Sequence, residues 1–131
     1  MRLTTILWVD AIEPSLPFWV DGLGFTLTDS VPHGDVLGFV ILHNQQIELM
    51  LQTRDSIAED MPLLAALPQG TSASLFFEVD DFEATFARLS HFPVSIPDRT
   101  TFYGMREIGF TAPSGHLVVI AARSLQTPSA S

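Results

Sequence analysis

Hydrophobic patterning divides the chain into two similar halves. The first half predicts a strand at 4–9, an amphipathic helix at 13–23 and strands at 25–31, 36–42 and 46–52. The second half repeats this order with a strand at 74–79, a helix at 80–90 and strands at 94–96, 103–111 and 117–121. An offset of 70 residues places Val9 on Val79 and Asp10 on Asp80. The pattern therefore predicts an internal duplication of a βαβββ unit.

A connector joins the two predicted units. Ser56 and Glu59 have the spacing of a capping box, which predicts a short helix from Ser56 towards Leu67. We expect Leu63, Leu64 and Leu67 of this helix to cover an apolar surface. The predicted organisation is one α+β domain over 1–131, with unit one at 2–53, a connector helix at 54–71, unit two at 72–123 and a frayed tail at 124–131.

Composition and charge narrow the possible functions. The 131 residues contain no Cys, which excludes disulfides, thiol catalysis and Cys-based metal sites. Six Lys+Arg against fifteen Asp+Glu give a net charge of −9, so we expect neither nucleic acid nor an anionic membrane surface as a partner. The N-terminal residues have no signal-peptide pattern, so we expect a cytoplasmic protein.

Strand alternation predicts which side chains share the open face of each sheet. Each amphipathic helix covers one face, so the other must be covered by the sister unit, a second subunit or a ligand. The residues predicted to bind a ligand on the open faces are aromatic, apolar and acidic: Trp8, Glu48, Met50, Phe76, Glu78, Tyr103 and Glu107. Aromatic faces and carboxylates together attract a cation, so a planar or amphipathic cation is the expected ligand.

Structural roles remain as alternatives for most of these residues. Trp8 and Phe76 could simply fill the core, and Glu78 could be a solvated rim residue. Glu107 could form an ion pair with Arg106, Arg99 or Arg2. Glu48 is the strongest candidate, because the pattern places it within a strand between two apolar residues. The four histidines, at 33, 43, 91 and 116, are predicted to lie in turns or at the surface.

Several short motifs resemble one known superfamily. They are Phe18-Trp19, Leu23-Gly24-Phe25, Phe77-Glu78-Val79-Asp80-Asp81, Tyr103-Gly104-Met105-Arg106-Glu107 and Ala112-Pro113-Ser114-Gly115-His116. Together with the duplication they resemble the vicinal oxygen chelate superfamily of glyoxalases, extradiol dioxygenases and bleomycin-resistance proteins. The resemblance implies that two tandem βαβββ units form a cleft-shaped mixed sheet, with the helices on the outside. It also implies a homodimer.

The resemblance further implies where a metal would bind in enzymes of this superfamily. The four matching positions are Thr4, Glu48, Ser74 and Val119, of which only Glu48 is a usual metal ligand. We therefore expect no metal and no cofactor. The favoured hypothesis is a metal-free small-molecule binding protein similar to bleomycin-resistance proteins, and the resemblance implies a role like antibiotic resistance. The alternative is a glyoxalase- or dioxygenase-like lyase or isomerase with an altered metal site around Glu48, or acid/base chemistry by Glu48 and Tyr103.

Overall fold

The structure of the protein is a computed structural model that describes residues 1–66 and 73–123. The chain forms two compact units, Met1–Gly70 and Thr71–Ser131. Each described unit contains one four-stranded mixed sheet, which confirms the α+β class and the duplication. The predicted tail at 124–131 and the connector residues 67–72, including Leu67, lie outside the described residues.

The first sheet has the strand order β1-β4-β3-β2. Its strands are β1 Thr5–Val9, β2 Thr26–His33, β3 Val36–Asn44 and β4 Ile47–Thr53. β1 runs parallel to β4, and the other neighbours are antiparallel. One face is closed by alternate residues that are at most 8% exposed: Leu7, Val9, Val40, Leu42, Leu49 and Leu51. Apolar burial on this face stabilises the unit.

The helical segment of the first unit differs from the predicted α-helix over 13–23. A 3₁₀ turn at Glu13–Ser15 leads into a π-helix at Pro17–Gly22. Pro17 has no N–H to donate to a preceding carbonyl, so the α-helical bonding pattern cannot pass through it. Beyond it, the Leu23 N–H donates to the Phe18 carbonyl, five residues earlier, at 3.0 Å, which is a π-type bond. Within this segment, the side chains of Phe18 and Trp19 are fully buried.

Two short helices follow β4 in the first unit. They are α1 Arg54–Asp60 and α2 Pro62–Ala65. The N-cap is Thr53 and not the predicted Ser56, because the Thr53 hydroxyl accepts a 3.2 Å hydrogen bond from the Ser56 N–H. Leu63 is 85% exposed, so the expectation that it covers an apolar surface is wrong for the unit as described.

The second sheet repeats the first with the order β5-β8-β7-β6. Its elements are β5 Leu75–Glu78, α3 Phe82–Leu89, β6 Val94–Thr100, β7 Met105–Thr111 and β8 Leu117–Arg123. Asp81 caps α3 through a 3.0 Å hydrogen bond from the Ala84 N–H. The described residues contain no helix with the length and apolarity that would span a membrane.

Arg106 links α3 to β6 in the second unit. Its guanidinium lies 4.2 Å from the centre of the Phe82 ring and forms ion pairs with Glu83 and Asp98. The hydrogen bond from Arg106 lowers the pKa of the Asp98 carboxyl, and both acidic partners raise the pKa of Arg106. This arrangement holds the start of α3 beside the sheet.

Three turns set the strand registers. The predicted three-residue turn before β8 is confirmed: the Ala112 N–H donates to the His116 carbonyl at 2.9 Å, and Gly115 has a φ of 90°. The turns between β2 and β3 and between β3 and β4 are shorter than predicted, because β2 extends to His33 and β3 extends to Asn44. His33 and His43, which were predicted to lie in these turns, therefore lie at the ends of β2 and β3.

We predict that Gly109→Ala destabilises the protein by about 1–3 kcal/mol through overpacking. A Cβ at Gly109 would lie 2.9 Å from both the Cβ and the Cγ1 of Ile96 and 3.1 Å from its Cδ1. Urea unfolding measures the change. In an Ile96→Ala background two of these three atoms are gone, so the same substitution should cost less. An equal cost in both backgrounds would contradict the contact as the cause.

Candidate functional site

A cavity of about 720 Å³ opens on the uncovered face of the first sheet. Its floor comes from alternate residues that the strand register places side by side: β3 pairs Phe39 with Gln52, and β1 pairs Ile6 with Met50. The full lining is Ile6, Val31, Pro32, His33, Phe39, Met50, Gln52, Ser56, Glu59, Asp60 and Met61. Most of the floor is therefore apolar.

The polar wall of this first-unit cavity comes from α1 and the end of β2. Because α1 begins directly after β4, its residues Ser56, Glu59 and Asp60 reach the cavity. His33 Nδ1 lies 3.4 Å from Glu59 Oε2. The lining contains two carboxylates and no Lys or Arg, so its local charge favours a cation.

The sequence-predicted residues of the first unit divide between the cavity and its surroundings. Met50 lines the cavity. Trp8 pairs in register with Gln52 and is half-buried, although it is not part of the lining. Glu48 lies one alternation beyond Met50 along β4, where it is also outside the lining. Glu59 and Asp60 were missed, and the signal for them was the position of the helix start immediately after the strand.

Glu48 is occupied by a hydrogen-bonded chain of side chains. Its Oε2 accepts from the Arg2 guanidinium at 3.0 Å and lies 2.9 Å from His43 Nε2. His43 Nδ1 lies 2.9 Å from the Thr28 hydroxyl, which donates to the Ile41 carbonyl at 3.3 Å. The Glu48 side chain is 12% exposed, and it lies within β4 between two apolar residues, as predicted, although it is the second residue of the strand and not a central one.

His43 is a functional candidate that the sequence analysis missed. It was predicted to lie in a turn, whereas it pairs directly with Glu48 across the β3–β4 hairpin. The signal was the spacing of five residues between His43 and Glu48. A two-residue turn brings residues at this spacing face to face, and Gln45 supplies the turn with a φ of 55°.

The second unit contains a buried carboxylate that is also engaged. Glu107 is 4% exposed. Its Oε1 accepts from Arg99 Nε at 3.0 Å and Nη2 at 2.7 Å, and its Oε2 accepts from the Tyr103 hydroxyl at 3.2 Å. Of the three arginines proposed as partners of Glu107, Arg99 is the one observed. Both oxygens of Glu107 are thus used to position an arginine and a tyrosine that are each about half-exposed.

Phe76 and Glu78 lie on the open face of the second sheet, as strand alternation predicted. Phe76 pairs with Val119 and is 54% exposed, so it does not fill the core of its unit. The Glu78 side chain is exposed and forms no hydrogen bond or ion pair with the described residues, whereas its backbone pairs with β8. Its position agrees with the alternative of a solvated rim residue.

The residues at the positions implied for a metal do not fit one. In the first unit Thr4 precedes β1, and Glu48 already contacts a guanidinium, whose positive charge opposes the binding of a metal ion. In the second unit the positions hold Ser74 and Val119, and Val119 has no ligand atom. Within 1–66 and 73–123, no group of three or more His, Cys, Asp or Glu could hold a metal ion.

We predict that Glu107→Gln lowers the free energy of unfolding by about 1–2 kcal/mol, because hydrogen bonds to a buried charged acceptor are lost or weakened. The matched control is Glu78→Gln, which removes the same charge from an exposed position on the same face. It should change stability by less than about 0.5 kcal/mol. Chemical denaturation of both variants tests this. Equal changes in the free energy of unfolding would show that the hydrogen bonds of Glu107 do not stabilise the fold.

Comparisons with known proteins agree with this architecture. The chain superposes on the crystal structure of a glyoxalase/bleomycin resistance protein/dioxygenase from Nocardioides with a TM-score of 0.71 and 21% identity, covering 100% of this chain and 89% of that one. For TioX from Micromonospora sp. ML1 the TM-score is 0.73 with 16% identity, covering 94% and 98%. For lactoylglutathione lyase from Agrobacterium tumefaciens it is 0.69 with 16% identity, covering 93% and 92%. At these identities the likeness shows the fold.

The family comparison covers almost the whole described chain. No curated protein sequence matches significantly. Residues 3–120 match the family model of the Glyoxalase/Bleomycin resistance protein/Dioxygenase superfamily. The chain therefore belongs to the glyoxalase/bleomycin resistance protein/dioxygenase superfamily, as its motifs and duplication indicated.

Proposed function

We propose that this protein is a metal-free binding protein for a small amphipathic cation, similar in role to bleomycin-resistance proteins, and that the ligand occupies the first-unit cavity. The observation that carries this proposal is the combination of an apolar floor with two carboxylates and no basic Lys or Arg in the lining. Apolar ligand surface would be removed from water on the floor, while Glu59 and Asp60 would attract the charge. The net charge of −9 would add long-range attraction.

The ion pairs of the other carboxylates support Glu59 and Asp60 as the groups that would bind the ligand cation. Glu48 and Glu107 each already have an arginine partner. A ligand cation would have to displace that arginine before it gained the same contact. Glu59 has His33 at 3.4 Å and is otherwise 77% exposed, so it is more available.

We predict that 4-phenylbutylammonium binds at least about tenfold more tightly than 4-phenylbutyrate, which has a similar shape and the opposite charge. In the Glu59→Gln/Asp60→Asn variant, the ammonium affinity should fall about two- to tenfold, as expected for two exposed carboxylates. Isothermal titration calorimetry measures both.

Two controls locate the charge effect. Glu78→Gln/Asp80→Asn removes the same charge from the second unit and should leave binding nearly unchanged. Glu48→Gln tests the residue favoured by the sequence. A loss with Glu48→Gln and none with Glu59→Gln/Asp60→Asn would move the cation to Glu48, and equal affinity for both ligands would contradict charge selection altogether.

The alternative function is an enzyme, a lyase or isomerase with an altered metal site around Glu48. The contact between His43 and Glu48 is the observation that favours it, because it brings two ligand-type side chains together. We predict instead that Zn²⁺ and Mn²⁺ leave the melting temperature unchanged. A metal at tenfold its Kd would add about 1.4 kcal/mol of stability. A saturable upward shift that Glu48→Ala abolishes would support the enzyme.

We also propose that the protein is a homodimer. Large apolar side chains remain exposed in both units, including Val31 at 53%, Phe76 at 54% and Phe102 at 86%. Superfamily membership is in keeping with a second subunit on such surfaces. Sedimentation at micromolar concentration is expected to give twice the chain mass of 14.4 kDa. A species at the chain mass itself would refute the dimer.

A further inference from the structure

One buried polar side chain in the first-unit cavity is not explained by packing. Gln52 is 5% exposed and lines the cavity, and its neighbours in register are the aromatic residues Trp8 and Phe39. Its side-chain amide donates to the Ser56 hydroxyl at 3.1 Å. Its side-chain carbonyl accepts no hydrogen bond from the described residues, and it is not among their enclosed unpaired atoms, so solvent in the cavity reaches it. The floor therefore contains a hydrogen-bond acceptor without a protein partner.

Such an acceptor has a preferred occupant. A ligand that covers this amide oxygen displaces the water that hydrates it, so a ligand that supplies an N–H gains more than one that does not. A quaternary ammonium has no N–H to donate. A protonated primary or secondary amine has the charge that Glu59 and Asp60 favour. It also has an N–H that can donate to the Gln52 side-chain carbonyl.

The local backbone holds this pair of side chains in place. Ser56 lies in the first turn of α1, where the Thr53 cap binds its N–H at 3.2 Å. A Cβ at Gly38 would lie 3.3 Å from the Ser56 Cβ and 2.6 Å from the His33 Cβ. Glycine at this position therefore lets α1 and the end of β2 approach the same point of β3. The Ser56 hydroxyl, which accepts from Gln52, also keeps its own proton available to a ligand.

We propose that Gln52 and Ser56 form a hydrogen-bonding subsite in the first-unit cavity that selects protonated amines with an apolar body over quaternary ammonium ions. The inference rests on the proposed function, since it assumes that a cation occupies this cavity. It goes further by naming the ligand class and Gln52 as the residue that determines specificity.

The test compares two ligands that differ only at the nitrogen, 4-phenylbutylammonium and its N,N,N-trimethyl derivative. Calorimetry on the wild-type chain should give about five- to a hundredfold tighter binding of the primary amine, the range expected when a ligand covers an acceptor and leaves it unpaired. Gln52→Met keeps the length of the side chain and removes the acceptor. In that variant the ratio of the two affinities should fall close to one.

Further variants separate specificity from folding. Ser56→Ala suits a helix and leaves the Gln52 carbonyl intact, so it should lower the ratio in part. Gln46→Met changes an exposed glutamine in the β3–β4 turn and should leave the ratio unchanged. Unfolding curves identify any variant that has lost its structure. If Gln52→Met does not fold, the affinity ratio of the Ser56→Ala variant tests the subsite.

The outcomes distinguish the two proposals. Equal wild-type affinity for both ligands, or a ratio that Gln52→Met and Ser56→Ala both leave unchanged, would overturn the subsite while cation binding stands. No binding of either ligand would overturn the proposed function and the subsite with it.

Discussion

The open face of each sheet is the constraint on which the chemistry of this protein depends. A four-stranded sheet has two faces, and each unit has helical cover for one of them. The period of two along β1, β3 and β4, which pair without register shifts, then assigns their residues to the covered or the open side. Leu49 and Leu51 are buried on the covered side of β4, whereas Met50 and Gln52 line the cavity. The same alternation that builds the core thus decides which residues can meet a ligand.

Charge pairing decides which acidic groups on these faces remain available. The chain has no Lys and only six Arg, so each arginine has many possible acidic partners. Arg2 pairs with Glu48 and Arg99 with Glu107, and both pairings place a cation beside a largely buried carboxylate. Burying either carboxylate alone would cost far more than burying the pair. The ion pairs therefore allow acidic residues within the sheet faces and also limit their use for binding.

The fold was predictable because it rests on strong periodic signals, and the site was predictable only in part. The duplication, the order of strands and helices along the chain and the facing of Phe76, Glu107 and Met50 follow from alternation and spacing. The π-helix was not predictable, because the spacing of apolar residues over one or two turns does not distinguish π-type from α-type hydrogen bonding. Glu59 and Asp60 were missed because their position depends on Thr53, rather than Ser56, being the cap of α1. The partners of Glu48 depend on the length of one turn, which sequence periodicity does not determine.

The polar groups of the first-unit cavity come mostly from one continuous segment. Gln52 ends the floor, Thr53 caps the helix, and Ser56, Glu59 and Asp60 follow within two helical turns. Side chains at positions three and four apart lie on one helical face, so Ser56, Glu59 and Asp60 can point to the same side. The buried face of the sheet contributes none of these groups. Substitutions within this segment can therefore change the charge and hydrogen bonding offered to a ligand while the apolar packing of the sheet is retained. This separation is a physical reason why one fold can serve different ligands, and in the proposed site the groups that would select a ligand lie in a segment of nine residues, 52–60.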